Sequence, residues 1–337
     1  MAKVMIEAAI NGNAMRDSNP HIAYSPREIA EDAIAACRAG AALIHPHVRD
    51  PISGEWSHEV AYYAEVFRRV REHCGALLFP TLPPAKDARK RYGHFVELSK
   101  DPASKPDLGA LDMGSLNYLS WNAATRTLRS GLYENSVEHL RDALALLKEC
   151  GIKRSTLQVF DATFLRTILL FLEQGILTEP LMIKFYFGGP ELPMGLPPTL
   201  KSLEAYLDLL KGVRCNWFVA TLGGDVMPMA PIAVAMGGHV RVGLEDYQYT
   251  RDGQFSNAQI GGASRCDNRR HGPSGREPPK RRAGCSKSDT EKRGTGFQPV
   301  MVSWPDQHGR TDLNCSLQSC RSLEVARRTG RTSQALD

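Results

Sequence analysis

At 337 residues the chain is long enough for one large catalytic domain plus an appendage, and it contains no run of 18 apolar residues that could cross a membrane as a helix. Its formal charge of +5 belongs to the end of the chain: residues 261–337 hold 15 Lys/Arg against 8 Asp/Glu, whereas residues 1–260 hold 27 against 29. That basic tail has no heptads, zinc-finger spacing or aromatic-bearing RNA signature, which excludes specific nucleic-acid recognition and leaves only nonspecific phosphate attraction.

The chain opens on the strand-like Val4-Met5-Ile6, with no charged segment followed by a long apolar one, so a soluble cytoplasmic protein is expected. A first strand is predicted near residues 4–10. Ser25-Pro26-Arg27-Glu28 then supplies an N-cap, a proline at the first helical position and early acidic charge. Ile29, Ala33, Ile34 and Cys37 follow at helical spacing, and Gly40 stands past the end. Further strands are predicted near 42–47, 76–80, 108–113, 156–160, 181–187, 216–221 and 239–244, with helices at about 58–73, 135–149, 162–174, 200–212 and 227–236. The 81–107 connection, with Pro83, Pro84, Pro102 and Pro106, reads as an irregular excursion over a barrel mouth. Eight strands alternating with helices imply parallel pairing through right-handed crossovers, and hence a (β/α)8 TIM barrel.

After Gln259 the texture changes. Arg269-Arg270, Pro273, Pro278-Pro279 and Lys280-Arg281-Arg282 offer no apolar period for a packed element. Residues 1–260 therefore read as the catalytic domain and 261–337 as a basic, largely disordered tail, with short helical pieces at most around 321–328. The tail stands where an eighth helix is expected. The eight cysteines divide as Cys37, Cys74, Cys150 and Cys215 in the body and Cys266, Cys285, Cys315 and Cys320 in the tail, with no CxxC. The body cysteines fall within apolar patterns, as buried free thiols of a reducing compartment do.

Ile44-His45-Pro46-His47-Val48-Arg49-Asp50 ends the second predicted strand. Residues two apart in a strand face one side, so His45 and His47 can converge on one ion, and zinc suits two imidazoles, a carboxylate and an open position. An HxH alone is a weak signal, equally satisfied by two polar residues packed in a barrel interior. Gly237-Gly238-His239-Val240-Arg241-Val242-Gly243-Leu244-Glu245-Asp246 strengthens it, because the ends of strands two and eight open on the same face, where Glu245 can complete the set. The alternative is that Glu245 and Asp246 cap a helix or pair with arginine. Asp246 can act as a base or as an orienter. Arg49 and Arg241 offer forked donors for a substrate carboxylate or a structural ion pair, and an interior Arg241 needs a partner, for which Asp246 is the obvious candidate. Asn11, Thr81, Ser115, Asn117, Gln158 and Asp161 stand at other strand ends, as pocket or turn residues. Gly223 and Gly224 can bring backbone amides close to a ligand or form a tight turn.

Four segments together resemble the β-keto acid cleavage enzymes: His45 to Asp50, Glu7-Ala8-Ala9-Ile10-Asn11-Gly12-Asn13, Leu111-Asp112-Met113-Gly114-Ser115-Leu116-Asn117, and Gly237 to Asp246. The resemblance covers residues 1–260. It implies zinc held by His45, His47 and Glu245, condensation of a β-keto acid with acetyl-CoA to acetoacetate and a new acyl-CoA, and a homo-oligomer, tetramer or dimer. It further implies Asp246, Arg241 and Thr81 as catalytic residues, Thr81 standing where the aminohexanoate-cleaving member has serine. Arg49, Asn11, Asn13, Ser115, Asn117, Gln158, Gly223 and Gly224 would then face substrate. Two positions depart from the pattern: Asn13 or Ala14 replaces a glutamate that receives a substrate amine, so a different keto acid is expected, and Gln158 replaces an acid. The abrupt loss of family-like sequence after Gln259 is what a frameshift or misjoined gene end produces. The competing readings are a metal-dependent hydrolase, which wants further histidines at middle strand ends, and a barrel inactivated by its aberrant end.

Overall fold

The computed structural model describes residues 3–249 and 254–256. Five of the seven helices among the described residues begin where the sequence supplies a side-chain oxygen to accept their unpaired N–H groups. In α1 (Pro26–Arg38) the Ser25 side chain accepts from the Glu28 N–H, and Glu28 accepts in return from the Ser25 N–H at 2.9 Å. The burial of Ile29, Ala30, Ala33 and Ala36 follows the helical period and puts that face against the sheet. Asp87, Ser136, Asp161 and Thr199 cap α3 (Ala88–Leu98), α4 (Val137–Glu149), α5 (Ala162–Glu173) and α6 (Leu200–Leu209) in the same way. The remaining helices are α2 (Val60–Arg71) and α7 (Ala230–Ala235).

Eight strands form one parallel sheet: β1 (Ile6–Ala9), β2 (Leu43–His45), β3 (Leu77–Leu78), β4 (Gly109–Asp112), β7 (Ser155–Val159), β8 (Leu181–Gly188), β9 (Cys215–Leu222) and β10 (His239–Gly243). Their order, β3-β2-β1-β10-β9-β8-β7-β4, is that of a TIM barrel opened between its third and fourth strands. Among the described residues no ladder joins β3 to β4. Instead Asp107, just ahead of β4, donates its N–H to Leu78 O at 2.9 Å and accepts from Leu78 N–H through its carboxylate at 2.8 Å, so the sheet curls round until its edges meet. The (β/α)8 expectation therefore holds, and all eight predicted strands are present.

Alternation along β8 divides the molecule into layers. Phe185 and Phe187 point outward to Tyr206 of α6, Phe185 stacking on it at 4.9 Å and 9°. Lys184, the residue before Phe185 and so on the opposite face, points into the barrel and is wholly buried. The outward-facing layer is a continuous apolar core, whereas the interior carries charge, and the balance of that interior charge organises the site.

Two segments differ from expectation. The 81–107 connection is not irregular throughout: Asp87 caps a three-turn helix, α3, whose Tyr92, Phe95 and Leu98 are buried, so the prolines only bracket it. After β4 the chain makes an antiparallel hairpin, β5 (Leu116–Asn122) with β6 (Thr127–Tyr133), whose Trp121 N–H reaches Glu191 O at 2.9 Å. Its alternation is weak, with exposed Leu128 and Leu132, which is why the run did not read as strand. The expected eighth helix, the tail 261–337 and its possible helix at 321–328 lie outside the described residues. Among those described, no helix is long and apolar enough to cross a membrane.

Asp32 on α1 is pushed up to about 6, first by burial and then by Glu28 and Glu31. A folded value above the unfolded one near 3.9 means that ionising this carboxyl weakens the fold: its favourable contribution is whole below pH 3.8 and lost as pH rises through 6. Asp32→Asn should therefore raise the melting temperature at pH 8, with the gain shrinking toward zero as pH falls to 4, in thermal melts across that range.

Candidate metal centre and active site

The strand registers place the candidate residues. Ala9 of β1 pairs with His45 on one side and Gly243 on the other, so residues two further on, His47 and Glu245, emerge side by side at the C-terminal rim. The approach is close enough to need small residues. A Cβ on Gly12, which has a positive φ of 56°, would lie 2.6 Å from Glu245 Cα, and one on Gly243 would lie 1.8 Å from Ala9 O.

His45 Nε2 lies 3.5 Å from Glu245 Oε2 and His47 Nε2 lies 3.2 Å from Glu245 Oε1. One ligand atom from each of the three residues falls within 4.8 Å of the others. The chemistry of the donor set fits a divalent metal. His45 Nδ1 faces the Phe79 carbonyl at 3.3 Å, and since a carbonyl only accepts, Nδ1 carries the proton and Nε2 keeps its lone pair. Burial holds His45 well below its usual value, against Glu245, so this contact is between a neutral imidazole and a carboxylate. His47 Nε2 is buried yet makes no well-formed hydrogen bond, an orphaned lone pair where a ligand atom would stand. His47 Nδ1 has two competing partners at 3.2 Å, the Trp56 indole N–H, which can only donate to it, and Asn13 Oδ1, which accepts; the tautomer that donates to Asn13 and forgoes the Trp56 bond is the one that leaves Nε2 free for a metal. Asn11 fixes the same residue from behind, its Oδ1 accepting from His47 N–H at 3.0 Å and its Nδ2 donating to His47 O at 2.8 Å.

Arg241 stands beside the cluster, 1% exposed. Its Nε donates to Asp246 Oδ2 at 2.9 Å, its Nη2 reaches Asp246 Oδ1 at 3.0 Å and Glu245 Oε2 at 2.9 Å, and its Nη1 donates to Glu7 Oε1 at 2.7 Å. Burial opposes ionisation of Glu245, but the Arg241 guanidinium, foremost among its neighbours, holds it well below the usual carboxylate range. For Asp246 burial is the largest influence, Arg241 pulls it back and Glu245 raises it again, leaving it pushed up to about 6. The two adjacent carboxyl groups are thus driven apart, one committed to the anion and one close to exchanging a proton at neutral pH.

The other expected residues divide. Arg49 is engaged by backbone: buried, it donates from Nε to Gly54 O at 2.6 Å and from Nη1 to Gly12 O at 2.7 Å and Ala14 O at 3.0 Å, tying the loop after β1 to the loop after β2. Gln158 is buried in β7, its Oε1 accepting from Leu111 N–H at 3.2 Å. Ser115 is exposed and accepts from Asn135 N–H at 2.8 Å, and Asn117 sits exposed in the hairpin opposite Leu132. Gly223 and Gly224 pack against the loop at Gly189–Leu192, where Cβ atoms would lie 3.0–3.1 Å from Leu192 N and Gly189 Cα. Thr81 is buried just past β3, its carbonyl accepting from His94 Nε2 at 2.9 Å, and Asp161 caps α5. Sequence reasoning missed Glu7, Lys184, Phe79, Trp56 and His94. For Glu7 and Lys184 a signal existed: each is a lone charge in an apolar interior strand, and such a charge needs a partner.

Fold and site together define a TIM-barrel enzyme with a His-His-Glu centre at its C-terminal rim. The chain belongs to the β-keto acid cleavage enzyme family, whose profile matches residues 3–262. It is 29% identical over 278 residues to the 3-dehydrocarnitine:acetyl-CoA trimethylamine transferase of Rhizobium meliloti, covering 77% of this chain and 88% of that one. It is 27% identical to the 3,5-dioxohexanoate:acetyl-CoA acetone transferase of Paraburkholderia graminis, over 75% of this chain and 85% of that one. Identity to the 3-keto-5-aminohexanoate cleavage enzyme of Fusobacterium nucleatum is also 27%, over 75% and 86%. Among solved structures, the binary complex of ObcA with oxaloacetate superposes with a TM-score of 0.54 at 17% identity, covering 73% of this chain; the chain spans 62% of ObcA's length, and the likeness concerns fold alone.

Because Glu245 approaches Gly12 so closely, Gly12→Ala should both strain the positive-φ turn, at about 1–3 kcal/mol, and displace Glu245. If the cluster takes a divalent metal, uptake of one offered to the folded variant, zinc being the probe read with a chromophoric chelator, should fall at least tenfold against wild type, an order-of-magnitude expectation for a displaced ligand.

Proposed function

We propose that this enzyme condenses a β-keto acid with acetyl-CoA to give acetoacetate and a new acyl-CoA, with zinc held by His45, His47 and Glu245. The observation that carries the reading is the convergence of two imidazole Nε2 atoms and a carboxylate beside a second carboxylate, Asp246, gripped by Arg241. Three protein ligands with nitrogen and oxygen donors suit a catalytic zinc, whose chemistry when bound is to polarise a keto oxygen and stabilise enolate charge. The family and two relatives whose names contain acetyl-CoA support the same class of reaction.

The chain's own residues supply orientation and proton handling. Asp246, close to its exchange point, accepts a proton at a carboxylate oxygen as the reaction begins, directly or through a water. Arg241 holds that carboxylate in one pose through two nitrogens and keeps Glu245 anionic. Thr81, buried near the His45 side of the rim, offers a hydroxyl to substrate. Asn13 holds the His47 ring rather than a substrate amine, and neither it nor Ala14 offers a carboxylate to a cationic substrate tail at that point of the loop. A keto acid without an amine at that end fits best.

Two measurements test this. Purified protein should contain about one zinc per chain, as three converging ligands imply, and His45→Ala combined with His47→Ala should abolish it by atomic absorption; metal kept by the folded double variant refutes the site. A panel of β-keto acids with acetyl-CoA should yield acetoacetate from at least one member, and Asp246→Asn should lower kcat about 100-fold or more, the usual scale for a lost general base. Silence across the panel in a zinc-loaded, folded sample rejects the reaction.

A further inference from the structure

One pair of charges lies deeper in the barrel than the reaction calls for. Lys184 on β8 and Glu7 on β1 are both 0% exposed, and Lys184 Nζ donates to Glu7 Oε1 at 2.7 Å. Two strands, β9 and β10, stand between them in the sheet, so this contact crosses the barrel lumen instead of following a ladder. Burying two ions is expensive, and apolar side chains of like volume would commonly serve stability as well or better. Stability alone is a poor account of the pair.

Its contacts reach both halves of the candidate centre. The same Glu7 Oε1 accepts from Arg241 Nη1 at 2.7 Å, and the remaining nitrogens of Arg241 hold Asp246 and Glu245. On the other side, Lys184 Nζ lies 4.8 Å from the ring centroid of Phe79. Phe79 in turn packs on the His45 ring, with centroids 4.8 Å apart, and its carbonyl receives His45 Nδ1–H. One ion pair therefore stands under the histidine arm and the carboxylate arm at once.

We propose that Glu7 and Lys184 are positioning residues that hold Arg241 and Phe79 in place, and through them set the pose of the zinc ligands Glu245 and His45; this rests on the reading of the site given above. Glu7 alone would turn Arg241 away from Asp246 or leave its own charge half-compensated, and Lys184 supplies the second cation that lets Glu7 stay fixed between them.

The test uses the full chain and zinc alone as the probe. Glu7→Gln and Lys184→Met should each weaken zinc affinity by about 10- to 100-fold in a competition titration with a chromophoric chelator, as loss of groups behind metal ligands does. The double variant should be no weaker than the worse single one, since both act through one contact. In turnover the effect should fall on kcat rather than KM. A merely architectural pair would lower the melting temperature while folded variants bind zinc as the wild type does, and that result overturns the proposal. If neither charge-removing variant folds, Glu7→Asp decides in the same way, because it keeps the charge but withdraws it from Arg241. Wild-type protein that takes up no zinc overturns the proposed function and this inference with it; normal wild-type uptake with unaltered variants overturns the inference alone.

Discussion

The site depends on one buried guanidinium. Glu245 and Asp246 are adjacent in the chain and both deeply placed, and two carboxylates so close would repel each other strongly out of water. Arg241 lets them coexist because its planar fork gives Nε and Nη2 to Asp246, lets Nη2 bridge to Glu245 as well, and leaves Nη1 for Glu7. An ammonium in its place would be a single point charge without that geometry. The asymmetry of the surroundings then separates the two acids. Glu245 faces Arg241 and two imidazoles and stays ionised, whereas Asp246 is dominated by burial and rises to about 6. Neighbouring residues of one acidic dipeptide thereby acquire different chemistry, one suited to ligation and the other to proton exchange.

Backbone register does the rest of the assembly. Ala9 lies between His45 and Gly243, and the absence of bulk at Ala9, Gly12 and Gly243 lets three strand ends approach more closely than ordinary side chains would allow. Asn11, one residue before the left-handed Gly12, grips both backbone groups of His47. Arg49 clamps the carbonyls of Gly12 and Ala14 to the Gly54 turn. The loop after β1 is thus a bracket for the histidine loop, and its Asn11 and Asn13 side chains are engaged by protein.

What was legible in the sequence was whatever depended on local periodicity. Two histidines two apart at a strand end, and an acidic pair at the last strand end, have directions set by the strand itself, and the structure brings His45, His47 and Glu245 together. The (β/α)8 alternation was readable for the same reason. Destinations set by another segment were not. Arg49 looked like a ligand for a substrate carboxylate because a sequence shows five donors and not the carbonyls of Gly12, Ala14 and Gly54 that meet them. Ser115 and Asn117 follow a barrel strand, where pocket residues are expected, but the chain turns there into the β5–β6 hairpin and carries Asn117 outward. Lys184 and Glu7 are 177 residues apart, and only the closed curvature of the sheet makes them neighbours.

Charge accounting across the interior bears on how an acidic substrate is held. Four Lys or Arg side chains are buried among the described residues: Arg49, Arg91, Lys184 and Arg241. Arg49 faces backbone carbonyls, Arg91 faces Asp112, Lys184 faces Glu7, and Arg241 faces Glu7, Glu245 and Asp246. Around Arg241 and Lys184 stand three acidic side chains for two basic ones, so the lumen by itself repels an incoming carboxylate once all are ionised. A divalent ion held by His45, His47 and Glu245, as proposed, would reverse that sign, and one substrate carboxylate would then bring the group to neutrality. Under the proposed function, that cation would be the positive charge that draws the keto acid in, so the rim guanidinium of Arg49 could be committed to backbone carbonyls without loss of substrate attraction.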